Sequence, residues 1–302
     1  MITEDIKSFS KDIEGDIFFD HEIKNLNWFN IGGSAKLFFK PKSLQELIKF
    51  LKLYNKRGKI FILGAGSNIL FSDDIFDGVV IKLGKRFCNI SLINSETIVA
   101  GSGVLDKKIS NFSEDNNIGG MEFLSCIPGT IGGGIKMNSG CYNREFKNIT
   151  LSVQTVDTYG KVISIPAEKI KFHYRGSNLS DELIFLSATL KGYKKDKTLI
   201  KKEINELKNE KERTQPSKIK TSGSTFKNPL NKSKMKVWEL IKNSVPEDIN
   251  FGDACISSQH SNFFVNKNNA KSNDMLRLIN FVKDQVKKKY KIELELEIKI
   301  VD

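Results

Sequence analysis

The chain predicts an α+β fold on three observations. Short apolar runs suited to strands recur from Ser34 to Leu190, helical 3.6-residue periods appear among them, and the two kinds follow no regular β-α-β alternation. With 302 residues there is room for two or three domains, and 39% hydrophobic against 28% charged residues is the balance of a folded chain rather than a disordered one.

In order, Trp28 to Pro41 reads as two short strands around Gly32-Gly33, ended by proline. A helix follows, with Leu44, Leu47, Ile48 and Leu51 on one face, Ser43 as its cap and Arg57-Gly58 as its stop. Lys59 to Leu63 is an apolar strand running into Gly64-Ala65-Gly66-Ser67-Asn68. The third glycine of a dinucleotide fingerprint is missing there, and the residues after Asn68 open no amphipathic helix. Strands at 79–83 and 97–100, a helix at 105–116, a hairpin of 150–157 with 161–165 around Thr158-Tyr159-Gly160, and a strand at 184–190 complete the first two-thirds. A polar helix over 196–215, stopped by Pro216, reads as the connector. Beyond it lie a helix at 236–244, a strand at 262–266, a helix with Met275, Leu278, Ile279, Val282 and Val286 on one face and Ser272 as its cap, and a strictly alternating strand at 292–300.

The most unusual stretch is Gly119 to Tyr142, which holds seven glycines. Glycine loses the most conformational entropy on folding, so such crowding points to a place where backbone approaches something closely. Two readings fit: a concave surface of peptide N–H groups that takes phosphate oxygens, with Thr130 adding a hydroxyl, or a tight turn with a glycine-packed helix or strand behind it. With the turn at Gly64–Asn68, the first reading suggests one pyrophosphate held from two sides by Gly64, Ala65, Gly66, Ser67, Asn68, Pro128, Gly129, Thr130, Gly132 and Gly133.

The net charge of +12, from 48 basic and 36 acidic residues, is spread over solvated helix faces rather than clustered with aromatics, which argues against a nucleic-acid partner and for attraction of phosphorylated small molecules. Cys88, Cys126, Cys141 and Cys255 show no metal spacing and His21, His173 and His260 lie far apart, so no metal site is expected and the cysteines read as reduced, half-buried small hydrophobes. No apolar run reaches membrane-spanning length and residues 1–10 have no signal-like apolar core; a cytoplasmic protein is expected.

Taken singly, Ser224 lacks a nucleophile elbow, Glu297 reads as a residue on a polar strand face, and Arg175 as a loop arginine. Taken in order, eight segments resemble the UDP-N-acetylenolpyruvoylglucosamine reductase family: Asn30-Ile31-Gly32-Gly33, Gly64 to Asn68, Ile127 to Gly133, Met137 to Tyr142, Tyr174-Arg175-Gly176-Ser177, Gly223 to Pro229, His260 to Asn266 and Leu294-Glu295-Leu296-Glu297. The resemblance covers nearly the whole chain. It implies a vanillyl-alcohol-oxidase-type FAD-binding region over 1–195, in subdomains of about 1–84 and 85–195, and a substrate-binding α+β domain over 196–302. It implies non-covalent FAD, with Asn138 and Gly140 joining the glycine turns around it, NADPH as co-substrate, and the enolpyruvyl ether of UDP-N-acetylglucosamine as the substrate of a monomer. It also implies that Ser224 delivers the proton to carbon while Arg175 and Glu297 steady the anionic intermediate, and that Tyr174, Lys227, Asn228 and Asn262 contact substrate.

The short span from Arg175 to Ser224 resembles the family's second type, which lacks the inserted fold whose tyrosine closes over the substrate, and Gln259 stands where many members have lysine. Two other readings are another FAD-dependent oxidase or dehydrogenase, against which the Ser224 and Glu297 motifs speak, and a non-enzymatic nucleotide or nucleic-acid binder.

Overall fold

The computed structural model describes residues 4–55 and 57–302, which form two compact units. One contains 1–19, 36–65 and 77–211; the other contains 20–35, 66–76 and 212–302. The units therefore do not follow the sequence-based division at 195/196: the long helix Lys197–Thr214 begins in the first unit, and two segments from the N-terminal third join the second. Non-local packing explains the second point. Phe29, Ile31 and Leu70 are core residues alongside Leu240, Phe264 and Leu278, and strand Ile69–Phe71 pairs in parallel with the last strand, Lys299–Val301.

The first unit holds an antiparallel five-stranded sheet in the order Val162–Pro166, Thr150–Val156, Ile184–Lys191, Thr97–Gly101, Ile90–Asn94. Helices Asp106–Asp115 and Ile131–Met137 supply Ile109, Ile131 and Ile135 to the core that includes the sheet's Ile98, Ala100, Val153 and Leu190. A second sheet, in the order Asp16–Glu22, Ser34–Lys40, Phe76–Ile81, Lys59–Ile62, packs with helix Leu44–Tyr54 around Phe39, Phe50 and Val79. Ser43 caps that helix as predicted, its side chain accepting from Glu46 N at 3.2 Å. The stop is Asn55 in the left-handed region (φ 41°), earlier than the predicted Arg57-Gly58.

In the second unit, helices Val237–Ser244 and Ser272–Tyr290 share a core with the small sheet Asn250–Phe251, Ala254–Ile256, Phe264–Asn266. Ser272 opens the long helix but does not cap it. Its amide donates to the Asp73 carboxylate at 2.6 Å and its hydroxyl accepts from Asp73 N at 3.1 Å. The predicted strand at 292–300 keeps its alternation of buried Ile292, Leu294 and Ile298 with exposed Glu293 and Glu295, but ladder pairing is confined to Lys299–Val301.

No helix among the described residues is long and apolar enough to cross a membrane.

Candidate active site

The glycine-rich stretch folds as the second of its two readings. Ile131–Met137 is a helix, and its glycines let it approach its neighbours: a Cβ on Gly132 would lie 3.1 Å from Ser102 Cβ, and one on Gly134 would lie 2.2 Å from the Phe146 ring. The amides of Ile131 and Gly132 donate to Val104 O and Ser102 O, each at 2.9 Å. This corrects the expectation that Gly132 lends an N–H to an anion, because its amide and its open face are both used by the adjoining strand end.

What remains of the cradle is sharper. A Cβ on Gly64 would sit 2.7 Å from Thr130 Oγ1, so the two glycine turns touch in this unit as the sequence suggests. Gly133 is exposed, and a Cβ there would meet only Thr130 Oγ1, at an ordinary 3.6 Å. Gly64, Thr130 and Gly133 thus leave backbone and one hydroxyl open to a ligand, with Pro128 and Gly129 forming the turn before them.

Asn138 and Gly140 have another duty. Asn138 is fully buried; its Nδ2 donates to His173 O at 3.0 Å and its Oδ1 accepts from Lys147 N at 2.9 Å. It thereby holds the hairpin of Phe172–His173 and Gly176–Ser177, whose tip is Tyr174-Arg175. Arg175 has φ +55°, a conformation that costs a non-glycine residue roughly 1–3 kcal/mol. Its guanidinium donates to Gly140 O at 3.0 Å and lies 5.1 Å from the Tyr174 ring centroid, so it is held by both. Asn138 and Gly140 are placed as supports of Arg175, the first through its side-chain amide and the second through its carbonyl.

Asp106 is the residue in this region that sequence reasoning missed. It opens helix Asp106–Asp115, its amide donates to Gly129 O at 3.1 Å, and its fully buried carboxyl has no hydrogen-bond partner among the described residues. A Cβ on Gly129 would come within 2.5 Å of its Oδ2. Burial pushes the carboxyl well above the usual carboxylate range, which favours its protonated form. An acid at a helix start reads in sequence as a partner of the helix dipole, and nothing in its spacing signals burial. The sign of its pH dependence follows. A carboxyl raised in the folded state contributes stability that is fully present below the ordinary Asp value of about 3.9 and is lost as pH rises through the folded value. Asp106→Asn, neutral throughout, is expected to gain on the wild type steadily from acid to pH 8 in urea unfolding. A gap that stays flat with pH would mean that Asp106 is ionised and paired.

In the second unit, Gly223 takes φ +76° with no atom within 4 Å of a would-be Cβ, so its backbone conformation, rather than crowding, demands glycine. The turn leads half-buried Ser224 into a strip between two other segments. Ser224 bridges Phe263, Phe226 bridges Leu296, and Glu297 N donates to Thr225 O at 2.9 Å. Ser224 and Glu297, far apart in sequence, are thereby brought within one register step. Asn68 Nδ2 donates to Glu297 O at 3.0 Å, fixing that segment from its other side. Asn262 is spent on structure: Nδ2 donates to Phe226 O at 2.8 Å and Oδ1 accepts from Phe226 N at 3.0 Å, with the residue 2% exposed. Its amide bridges the Phe226 backbone with one hydrogen bond from each end, which makes it a strut of this strip. Asn228 Oδ1 accepts from Val237 N at 3.0 Å, at the start of a helix, while Lys227 and Asn228 remain half-buried. Arg175 belongs to the other unit, as do Gly64 and Ala65; Gly66, Ser67 and Asn68 belong to this one.

Comparison with known proteins covers residues of both units. Residues 35–166 match the model of an FAD binding domain, and residues 215–301 match that of the C-terminal domain of UDP-N-acetylenolpyruvoylglucosamine reductase. The UDP-N-acetylenolpyruvoylglucosamine reductase of Pelagibacter ubique (strain HTCC1062) is 58% identical over 301 residues, 100% of either chain. The chain belongs to the UDP-N-acetylenolpyruvoylglucosamine reductase family. The same-named protein of Rickettsia typhi (strain ATCC VR-144 / Wilmington) is 41% identical over 95% of this chain and 96% of its own. The crystal structure of the Thermus caldophilus reductase superposes with a TM-score of 0.82 at 26% identity, covering 96% of this chain and 100% of that one. The fold is therefore the reductase family's, an FAD-binding domain with a C-terminal domain of its own kind, and the protein is an FAD-containing oxidoreductase.

The residues present fit that cofactor: Gly133 leaves the space that a side chain would fill, and Gly64 lets the Thr130 hydroxyl close against its own turn beside it. Gly133→Val tests the fit cleanly, since nothing in the protein obstructs the new side chain and valine is no worse than glycine in a helix. FAD affinity is expected to fall about tenfold, the equivalent of about 1.4 kcal/mol, without loss of thermal stability. Fluorescence-quenching titration reads it, and unchanged affinity would return the position to plain helix surface.

Proposed function

We propose that this chain catalyses the NADPH-dependent reduction of UDP-N-acetylglucosamine enolpyruvate to UDP-N-acetylmuramate, a step of peptidoglycan precursor synthesis, with non-covalently bound FAD. The observation that carries the reading is the register that puts Ser224 beside Glu297 on a strip held by Asn262 and Asn68. FAD held at Thr130 and Gly133 would supply the two-electron chemistry between the nicotinamide and the terminal carbon of the enol ether. The residues of the chain manage charge and proton. Addition at the terminal carbon leaves negative charge on the neighbouring carbon, conjugated with the substrate's carboxylate. Arg175, held at its hairpin tip, is the cation suited to that charge, and fixed groups cost no reorganisation when it develops. A serine hydroxyl is a weak acid, adequate only against so basic a carbon, and Ser224 is assigned that proton transfer. Glu297 serves while holding a proton or a bridging water, because a bare carboxylate would repel the anion. Tyr174, Lys227 and Asn228 are the remaining candidates for substrate contact.

The test is anaerobic. NADPH should bleach the flavin absorbance of the purified holoenzyme, and the enolpyruvyl substrate should restore it. Bleaching that this substrate fails to reverse would sink the assignment and favour another substrate for the same cofactor.

A further inference from the structure

Arg175 sits at the tip of a hairpin whose two legs are tethered to one stretch of chain. The incoming leg is held by Asn138, just past the helix Ile131–Met137, through its bond to His173 O. The outgoing leg is held from within the helix. Lys136 Nζ donates to Leu179 O at 2.5 Å and lies 2.6 Å from the Asp181 carboxylate, while the Leu179 side chain is buried in the core. Between the legs, Lys171 N donates to Asn178 Oδ1 at 2.8 Å and closes the base of the loop. The hairpin's own ladder is two residue pairs, Phe172 with Ser177 and His173 with Gly176, and its tip carries the left-handed Arg175. Where the tip lies is therefore set by what grips the legs.

The two contacts of Lys136 are unequal. Asp181 is 75% exposed, and an ion pair so open to water holds little. The bond to Leu179 O is charge-assisted, half-buried and made to backbone, so it fixes the course of the chain rather than a mobile side chain. We propose that Lys136 is a positioning residue for Arg175. Through the Leu179 carbonyl it fastens the hairpin to the helix whose first turn carries Gly133, and so sets the guanidinium relative to the FAD cradle. The inference rests on the reaction proposed above, in which Arg175 meets negative charge in the second half-reaction. Its ammonium is spent on the loop and acts through the arginine. Losing it should cost rate where Arg175 is used, because fixed charges stabilise only when they are held in place.

The experiment is a double-mutant cycle on the holoenzyme. Lys136→Met removes the ammonium and keeps the stem, and the two residues have similar helix propensity. Re-oxidation of the flavin by the enolpyruvyl substrate should slow about tenfold, with reduction by NADPH changed less than about twofold. Lys136→Arg, which still donates to the carbonyl, should recover most of the rate. In an Arg175→Ala background, Lys136→Met should slow re-oxidation less than about twofold further, because residues that act as one unit are not additive. A full tenfold loss in that background, or equal slowing of both half-reactions, would overturn the proposal. Hydrogen–deuterium exchange on the oxidised holoenzyme adds a readout that needs no substrate. Lys136→Met should speed exchange in peptides spanning 172–181 and leave the strand Thr97–Gly101 unchanged. Unchanged exchange at 172–181 overturns the tether whatever the substrate is. Faster exchange there, in a protein whose wild type the enolpyruvyl substrate fails to re-oxidise, would uphold the tether and sink the proposed reaction instead.

Discussion

Ser224→Ala is expected to slow re-oxidation of the flavin by the enolpyruvyl substrate about 10⁴-fold, the upper end of what general acid catalysis contributes, while leaving reduction by NADPH within about twofold. The asymmetry follows from the chemistry, since only the second half-reaction places a proton on carbon. The substitution should leave the fold intact, because Ser224 meets Phe263 through backbone and its neighbours Thr225 and Phe226 carry the contacts to Asn262 and Glu297. Ser224→Cys should retain more activity than alanine, as a thiol still donates a proton, though over a longer bond. Stopped-flow absorbance separates the two halves. Equal slowing of both would make the residue structural; no slowing of either would transfer the proton to water or Glu297.

The largest expected effect on stability is at Glu122. Its fully buried carboxylate accepts from Gly120 N at 2.8 Å, Arg144 Nη1 at 2.8 Å and Lys195 Nζ at 2.7 Å, and Glu203, on the helix Lys197–Thr214, binds the same Arg144 and Lys195. Burial pushes the carboxyl up, but the hydrogen bond from Lys195 and the two cations outweigh it and hold it below its ordinary value. Removing Glu122 leaves Gly120 N without its acceptor and two cations sharing the single carboxylate of Glu203, so Glu122→Ala should cost about 3 kcal/mol in urea unfolding, the low end for breaking a buried pair. A carboxyl lowered in the folded state contributes stability that is present above the ordinary Glu value of about 4.3 and is lost as pH falls through the folded value. The gap between wild type and variant should therefore narrow on acidification. A loss under about 1 kcal/mol would mean that the cluster's attraction barely offsets its own desolvation.

Glu122 went unremarked in the sequence, because a carboxylate in the mostly apolar run from Ile118 to Ile127 is explained only by Arg144 and Lys195, which reach it from elsewhere in the chain. The glycine stretch was legible as a close approach, but not what approaches it. The sequence pointed first to an anion and only second to a packed neighbour, and at Gly132 and Gly134 the neighbour is protein.

What the sequence by itself determined is everything set by local spacing. The helix Leu44–Tyr54 with its Ser43 cap, the hairpin around Gly160, the apolar face of the helix Ser272–Tyr290 and the alternation from Ile292 to Ile298 depend on residues within a few positions of one another. The order of the eight family segments likewise sufficed to name the family. Only the tertiary structure decided which face meets what: that 20–35 and 66–76 belong with the C-terminal unit, that Asp106 is buried without a hydrogen-bond partner among the described residues, that Asn138 and Asn262 are struts, and that Ser224 lies beside Glu297. Periodicity encodes that a side chain will be buried, while its partners come from elsewhere in the chain, and a polar group's role is fixed by those partners, which alone determine whether its hydrogen bonds are spent on the fold or remain for a ligand.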